Sequence, residues 1–188
     1  MARVPVLAAG GIVTQRGEAL IAVVRLRKRN EWVLPKGKLD DGETPRDAAR
    51  REAREETGHD VSVHEFLGTL VYESGGRSKV VHYWRMEAGG AQVQDLMDDV
   101  KAVDWLPLDA AVERLSRSYE RAFLANVGPL ALEALARLPG AERSVGADGV
   151  EAKTSILPAQ PEPGNSGTAR GRRRSLMDKV RDWLRRAA

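Results

Sequence analysis

The order of apolar and polar positions separates a patterned stretch of chain from an unpatterned one. Residues 8–14 and 18–26 are runs of small and β-branched apolar residues separated by Arg16-Gly17, which reads as a hairpin turn. Further strands are expected at 61–63, 67–73, 79–87 and 103–106, with Ser74-Gly75-Gly76 turning between the second and third of these. One segment carries a full set of helix signals. Thr44 suits the N-cap, Pro45 the first helical position and Asp47 the positive end of the dipole, while Gly58 supplies the stop. Residues 108–115 and 119–127 also have helical periodicity; Gly128-Pro129 should interrupt it, and 130–138 resume it before Pro139-Gly140. Strands and helices interleaved in this way predict one α/β domain over residues 1–138.

Beyond that point the character changes. Residues 139–169 contain four Pro and five Gly, and no aromatic occurs between Phe123 and Trp183, so this stretch is expected to be a flexible linker. Periodicity returns in a tail, residues 170–188, where Leu176, Val180, Trp183, Leu184 and Ala187 share one helical stripe among basic residues. The tail holds eight Arg or Lys and two Asp, a net of +6 within a chain total of +3, which leaves −3 for residues 1–169. A basic amphipathic helix of this kind fits docking on its own domain or a neighbouring subunit in an oligomer, an anionic membrane surface or an acidic partner, or nucleic acid. The chain has no cysteine, so any metal must be held by oxygen or imidazole. The apolar stretch 4–13 contains Pro5 and Gly10-Gly11 and runs into Thr14-Gln15-Arg16, a poor signal peptide, and the expectation is a cytoplasmic protein.

The chemistry concentrates in a Gly- and Asp-rich loop, residues 37–42, and the helix after it. Glu52, Glu55 and Glu56 stand at i, i+3 and i+4 and project from one helical face. A solvated charge run is the plain explanation of such a cluster, but a surface helix gains by pairing each Glu with a base, and here only Arg51 stands at i+4 spacing, to Glu55. Hard divalent cations explain it better. Mg²⁺ or Mn²⁺ takes oxygen ligands and keeps positions for water and phosphate oxygens, and a metal so held neutralises a polyphosphate and lowers the pKa of bound water.

The spacing resembles the Nudix box: Gly, five residues, Glu, seven residues, Arg-Glu, an apolar residue, any, Glu-Glu, any, Gly, then an apolar residue. Gly37, Glu43, Arg51, Glu52, Glu55, Glu56 and Gly58 all match, with chance odds on the order of 10⁻⁸ per starting point. His59 departs from the final apolar position and is expected to bear on packing. The resemblance spans about residues 6–127 and implies an αβα sandwich with a mixed sheet. It further implies that Glu52 and Glu56 are the principal metal ligands, with Glu55 a further ligand or water-orienting group and the Gly37 carbonyl an added ligand. Arg51 would hold the glutamates, Glu43 would stabilise the loop, and an acid outside the box, Asp99 with Asp98 as rival, would act as base or extra ligand.

Around the loop, Arg25, Lys36 and Lys38 are candidates for holding phosphates, and Tyr83, Trp32 and Trp84 for stacking on a base. The runs 32–39 and 80–84 look like the Nudix domains of bacterial enzymes acting on 8-oxo-guanine nucleotides and diadenosine polyphosphates. The resemblance therefore implies a metal-dependent pyrophosphohydrolase acting on nucleoside triphosphates, oxidised ones included, or on dinucleoside polyphosphates. Diphosphoinositol polyphosphates and capped RNA are alternative substrates. A nucleotide-sensing module without catalysis is the alternative of another class, although such modules usually lose box glutamates.

Overall fold

Strand β1 (Val6–Gln15) is apolar on both faces, with Ala8 and Ile12 buried on one side of the pleat and Ala9 and Val13 on the other, so it can only be an inner strand. The structure, a computed structural model, describes residues 4–136; the expected linker 139–169 and tail helix 170–188 lie outside the described residues. After a turn at Gly17, strand β2 (Ile21–Leu26) returns antiparallel to β1, but their register consists of Thr14 opposite Ile21. The two strands then diverge, and the chain fills the gap between them. Strand β3 (Trp32–Val33) runs along β2, with Val24 opposite Val33, and strand β4 (Lys36–Lys38) crosses to β1, with Gly10 opposite Lys36 and Ala8 opposite Lys38. Neither short strand is visible in the sequence, since two or three residues around Pro35 and Gly37 carry no periodicity of their own.

On the other edge of β1 lies strand β6 (Arg77–Ala88), parallel to it from Val6 opposite Lys79 to Gln15 opposite Ala88. Strand β5 (Val61–Ser74) pairs antiparallel with β6 on the outside, and strand β7 (Val100–Leu106) covers the free edge of β2. The sheet is therefore mixed. The two strands expected at 61–63 and 67–73 are one, because register shifts between Val63 and Phe66 and between Phe66 and Gly68 bend β5 without ending it.

Helix α1 (Pro45–Thr57) packs on one face of the sheet and helices α2 (Leu108–Arg114) and α3 (Ser118–Ala136) on the other, giving an αβα sandwich. Ala48, Ala49 and Ala53 of α1 are fully buried against Ala9, Val13, Ala22 and Met86, so the helix backbone lies close to the strands. The break expected at Gly128-Pro129 does not occur, and Pro129 lies inside α3. A proline there forfeits one intrahelical bond. Packing offsets it: Leu124, Val127 and Ala131 on either side of Pro129 are buried, and Gly128 leaves room for Leu108 of α2.

Both ends of α1 match the sequence signals. The Thr44 side chain accepts the Asp47 N–H, and Gly58 turns into the left-handed region at φ 76°, donating its N–H to the Arg54 carbonyl. The Gly58 carbonyl accepts from Val93 and Gln94, and the Met97 N–H donates to the Glu55 carbonyl, so the loop ahead of β7 is fastened to the last turn of the helix. A Cβ at Gly58 would be strained and would lie 2.7 Å from the Gln94 carbonyl oxygen. Gly58→Ala is accordingly expected to cost about 1–2 kcal/mol, seen in urea denaturation as a lower midpoint at unchanged slope.

Candidate functional site

The alanine face that buries α1 also carries Glu52 and Glu56 inward, leaving them only 8% and 7% exposed. Both carboxylates meet β4. The Lys36 N–H donates to Glu56 Oε2 at 2.8 Å, and the Glu52 carboxyl lies where a side chain at residue 37 would begin, so any side chain there would displace that carboxyl. Alternation along β4 explains the arrangement: Gly37 faces α1 while Lys36 faces α3.

Arg51 organises the acids. Its Nε and Nη2 donate to the two oxygens of Glu43 at 2.9 and 2.8 Å, Nη1 donates to Glu52 at 2.6 Å and to Glu55 at 3.3 Å, and Nη2 also donates to the Lys38 carbonyl at 3.0 Å. This fork of hydrogen bonds holds the Arg51 guanidinium well above its ordinary pKa, through Glu43 first, against the cost of burial. Glu43 in turn accepts the Asp40 N–H at 3.0 Å, which closes the loop ahead of the helix. Glu55 stands further out than its two neighbours, with its side chain 32% exposed.

The Glu56 carboxyl is pushed up to about 8, by burial first and then by the charge of Glu52, while Lys36 and Lys79 pull the other way. Two carboxylates buried side by side are an unfavourable arrangement that a cation relieves. Among the described residues no three acidic or imidazole side chains form a ready cage, and Arg51 lies between Glu52 and Glu55. A hard cation that takes one or two carboxylates and completes its shell with water and phosphate oxygens fits such an all-oxygen donor set.

The remaining candidates separate. Lys36 is buried on the α3 face, its Nζ 2.9 Å from Glu120 Oε1 and donating to the Leu34 carbonyl at 3.0 Å, so its ammonium is committed inside the protein and is not offered to a phosphate. Tyr83 is also withdrawn, fully buried with its ring 4.9 Å from that of Phe123, because its position on the inner strand β6 points it into the core. Lys38 is exposed at the end of β4. Arg25 and Arg114 flank the Trp32 ring at 5.8 and 5.1 Å. Trp84 meets Phe66 at 5.3 Å, and His59 stands edge-on to Trp105 at 5.2 Å with its Nδ1 2.8 Å from the Thr57 carbonyl. Asp99 is half exposed and faces Lys28 at 3.7 Å.

The fold also assembles a group that sequence spacing does not reveal. Lys79 is the third residue of β6, on the α3 face, and its amine is lowered to about 8 by burial first, then by Lys36, Lys38 and Arg117, with Glu56 opposing. Next to it Tyr72 of β5 stacks on Tyr119 of α3, ring centroids 4.4 Å apart, and Arg117 bonds Glu31 at 2.7 Å. The antiparallel β5–β6 pairing sets Tyr72 opposite Lys79, and α3 adds Tyr119 on the Tyr72 ring; the one hint in the sequence is a lysine near the start of an apolar strand.

The family model of the NUDIX domain matches residues 4–127. The chain belongs to the NUDIX domain family. It is 37% identical over 115 residues to the 8-oxo-(d)GTP phosphatase of Mycolicibacterium smegmatis, covering 61% of this chain and 35% of that protein. It is 35% identical over 89 residues to the asymmetrical bis(5'-nucleosyl)-tetraphosphatase of Mus musculus, covering 45% of this chain and 60% of that one. This NUDIX chain thus spans between about a third and three fifths of the length of these relatives. Among solved structures, the binary complex of the Caenorhabditis elegans Ap4A hydrolase aligns with a TM-score of 0.60 at 27% identity, over 69% of this chain and 98% of that one. The MutT protein of Methanosarcina mazei Go1, at 17% identity and a TM-score of 0.59 over 69% of this chain and 97% of that one, shares the fold.

Glu56→Gln and Gly37→Ala are each expected to weaken Mn²⁺ binding about tenfold or more in calorimetric titration, roughly 1.4 kcal/mol, with the far-UV circular dichroism unchanged. Wild-type affinity in both would remove β4 and α1 as the metal site.

Proposed function

We propose that this NUDIX domain is a metal-dependent pyrophosphohydrolase cleaving a phosphoanhydride bond in a nucleoside triphosphate, an oxidised one included, or in a dinucleoside polyphosphate. The observation that carries this reading is the buried Glu52 and Glu56 pair on Gly37, with Lys38 at the end of the same strand β4 and the field of Lys79 reaching Glu56 across the sheet. Acids suit a cation and bases suit a polyphosphate; the acids are carried by α1, and Lys38 and Lys79 by β4 and β6, which both pair with β1. Glu52, Glu56 and the Gly37 carbonyl would hold Mg²⁺ or Mn²⁺. When bound, the ion supplies charge neutralisation of the phosphates and a more acidic water. Arg51, pinned by Glu43, fixes the rotamers of Glu52 and Glu55; Glu55, the most exposed of the three, would serve as a further ligand or orient the attacking water. The names of the similar proteins, an 8-oxo-(d)GTP phosphatase and a bis(5'-nucleosyl)-tetraphosphatase, support a nucleotide as substrate.

A panel assay tests the reading directly. Phosphate, pyrophosphate and nucleotide products are followed with nucleoside triphosphates, 8-oxo-guanine nucleotides, dinucleoside polyphosphates, inositol pyrophosphates and capped RNA, with Mg²⁺ or Mn²⁺. Turnover of a nucleotide that stops on chelation is expected. Turnover confined to inositol pyrophosphates or capped RNA would replace the substrate class, and binding without turnover would replace the enzyme reading.

Lys79 provides a second expectation. Its charge should attract polyphosphate below about pH 8 and be lost above it. Wild-type kcat/KM should therefore decline above about pH 8, whereas Lys79→Met should lack that limb and show a KM raised about tenfold, roughly 1.4 kcal/mol. Stability moves oppositely. The folded pKa of Lys79, about 8, lies below its ordinary value of 10.5, so the fold disfavours the charged form and gains stability as pH rises between those values. Lys79→Met should lose that rise in urea denaturation midpoints.

A further inference from the structure

We propose that Glu120 of α3 is a positioning residue for β4, the strand that meets the metal-holding acids on the opposite face of the sheet, acting through Leu34 and Lys36. The inference rests on the metal site proposed above and concerns how that site is kept in place. Glu120 is a fully buried carboxylate on α3, the helix that supplies Leu124, Val127 and Ala131 to the apolar cluster containing Ile12, Leu34 and Tyr83. Its Oε2 accepts the Leu34 N–H at 2.9 Å, its Oε1 lies 2.9 Å from Lys36 Nζ, and Arg117 Nη1 stands 3.6 Å away. Lys36 then connects the layers. Its side chain reaches Glu120 in α3, while its backbone N–H donates to Glu56 in α1. The next residue is Gly37, against which the Glu52 carboxyl lies.

Residues 34–37 are thus gripped by a carboxylate from each face, in the only part of the sheet where β1 and β2 have separated. That segment needs a grip. It pairs with β2 through β3 and with β1 through β4, two short ladders joined at Leu34-Pro35, where the proline offers no N–H. Space has been cleared for the lysine as well, since a Cβ at Gly10 on β1 would lie 2.6 Å from Lys36 Cβ. A slip of one residue in β4 would turn Gly37 away from Glu52 and a side chain towards it. Glu120 opposes that slip by fixing the backbone at Leu34 and the side chain at Lys36.

An ion pair that serves only stability can be replaced by apolar residues of similar volume at little cost, whereas removal of one partner leaves a buried charge uncompensated. The two roles therefore separate in a double variant. Full-length wild type, Glu120→Gln and Lys36→Met/Glu120→Leu are compared by thermal unfolding, by Mn²⁺ titration followed by electron paramagnetic resonance, and by kcat and KM. The double variant should unfold at or above the temperature of Glu120→Gln yet bind Mn²⁺ about tenfold or more weakly than wild type, with kcat lowered and KM changed by less than about threefold. Folded variants with a smaller loss of Mn²⁺ affinity overturn the inference. Failure of both variants to fold assigns the pair to stability and overturns it too. Absence of Mn²⁺ binding by wild type removes the metal site itself and this inference with it, whereas wild-type binding matched by the variants removes the inference alone.

Discussion

Placing two carboxylates between a helix and a sheet is the constraint on which the rest of this structure depends. Glu52 and Glu56 sit on the same buried face of α1 as Ala48, Ala49 and Ala53, where an apolar residue would ordinarily be. An ionised carboxyl there needs donors or a counter-charge. The protein supplies them from several directions: Arg51 to Glu52, the Lys36 N–H to Glu56, and the field of Lys79 and Lys36 across the sheet. What these leave unbalanced is visible in Glu56, still held at about 8, and a divalent cation is the natural complement. Most residues of the box follow from this one requirement. Gly37 makes room, Glu43 anchors the arginine, and Gly58 ends the helix where the loop ahead of β7 can fasten to it.

Much of that was legible in the sequence for physical reasons. Helix α1 announces itself because its caps are local: Thr44, Pro45, Asp47 and Gly58 each act within four residues of where they stand. The i, i+3, i+4 glutamates were equally readable, since helical geometry alone decides their mutual position. The sides of the sheet were not. Whether Lys36 or Gly37 faces α1 depends on β4, a three-residue strand whose register is set by β1, and so the lysine nearest the loop looks like a phosphate ligand although its ammonium is buried on Glu120. Tyr83 fails for the same reason, because nothing in residues 80–84 distinguishes the strand position that enters the core from the one that leaves it. Tyr72 and Lys79 meet across the β5–β6 hairpin, but Arg117 and Tyr119, more than thirty residues on, reach them only through the packing of α3, and the proline in α3 reads as a break because the packing that overrides it is not local.

The acids and the bases of the site occupy different layers. The carboxylates belong to α1 on one face of the sheet, whereas Lys36, Lys79, Tyr72, Arg117 and Tyr119 belong to the other face and to its edge. Strand β4 is common to both, presenting Gly37 to the acids and its lysines to the opposite side. A substitution on β5, β6 or α3 that alters the face away from α1 therefore need not disturb the arrangement of Glu52, Glu56 and Arg51. In the function proposed above, the cleavage chemistry would belong to a helix and a strand, and the choice of substrate to edges that can vary independently. Proteins named for an oxidised guanine nucleotide and for a dinucleoside tetraphosphate can then both be similar to the same chain. The coupling that remains runs through residues 34–37, held from both faces, so a change in α3 that moved Glu120 would be the route by which the variable layer reached the metal.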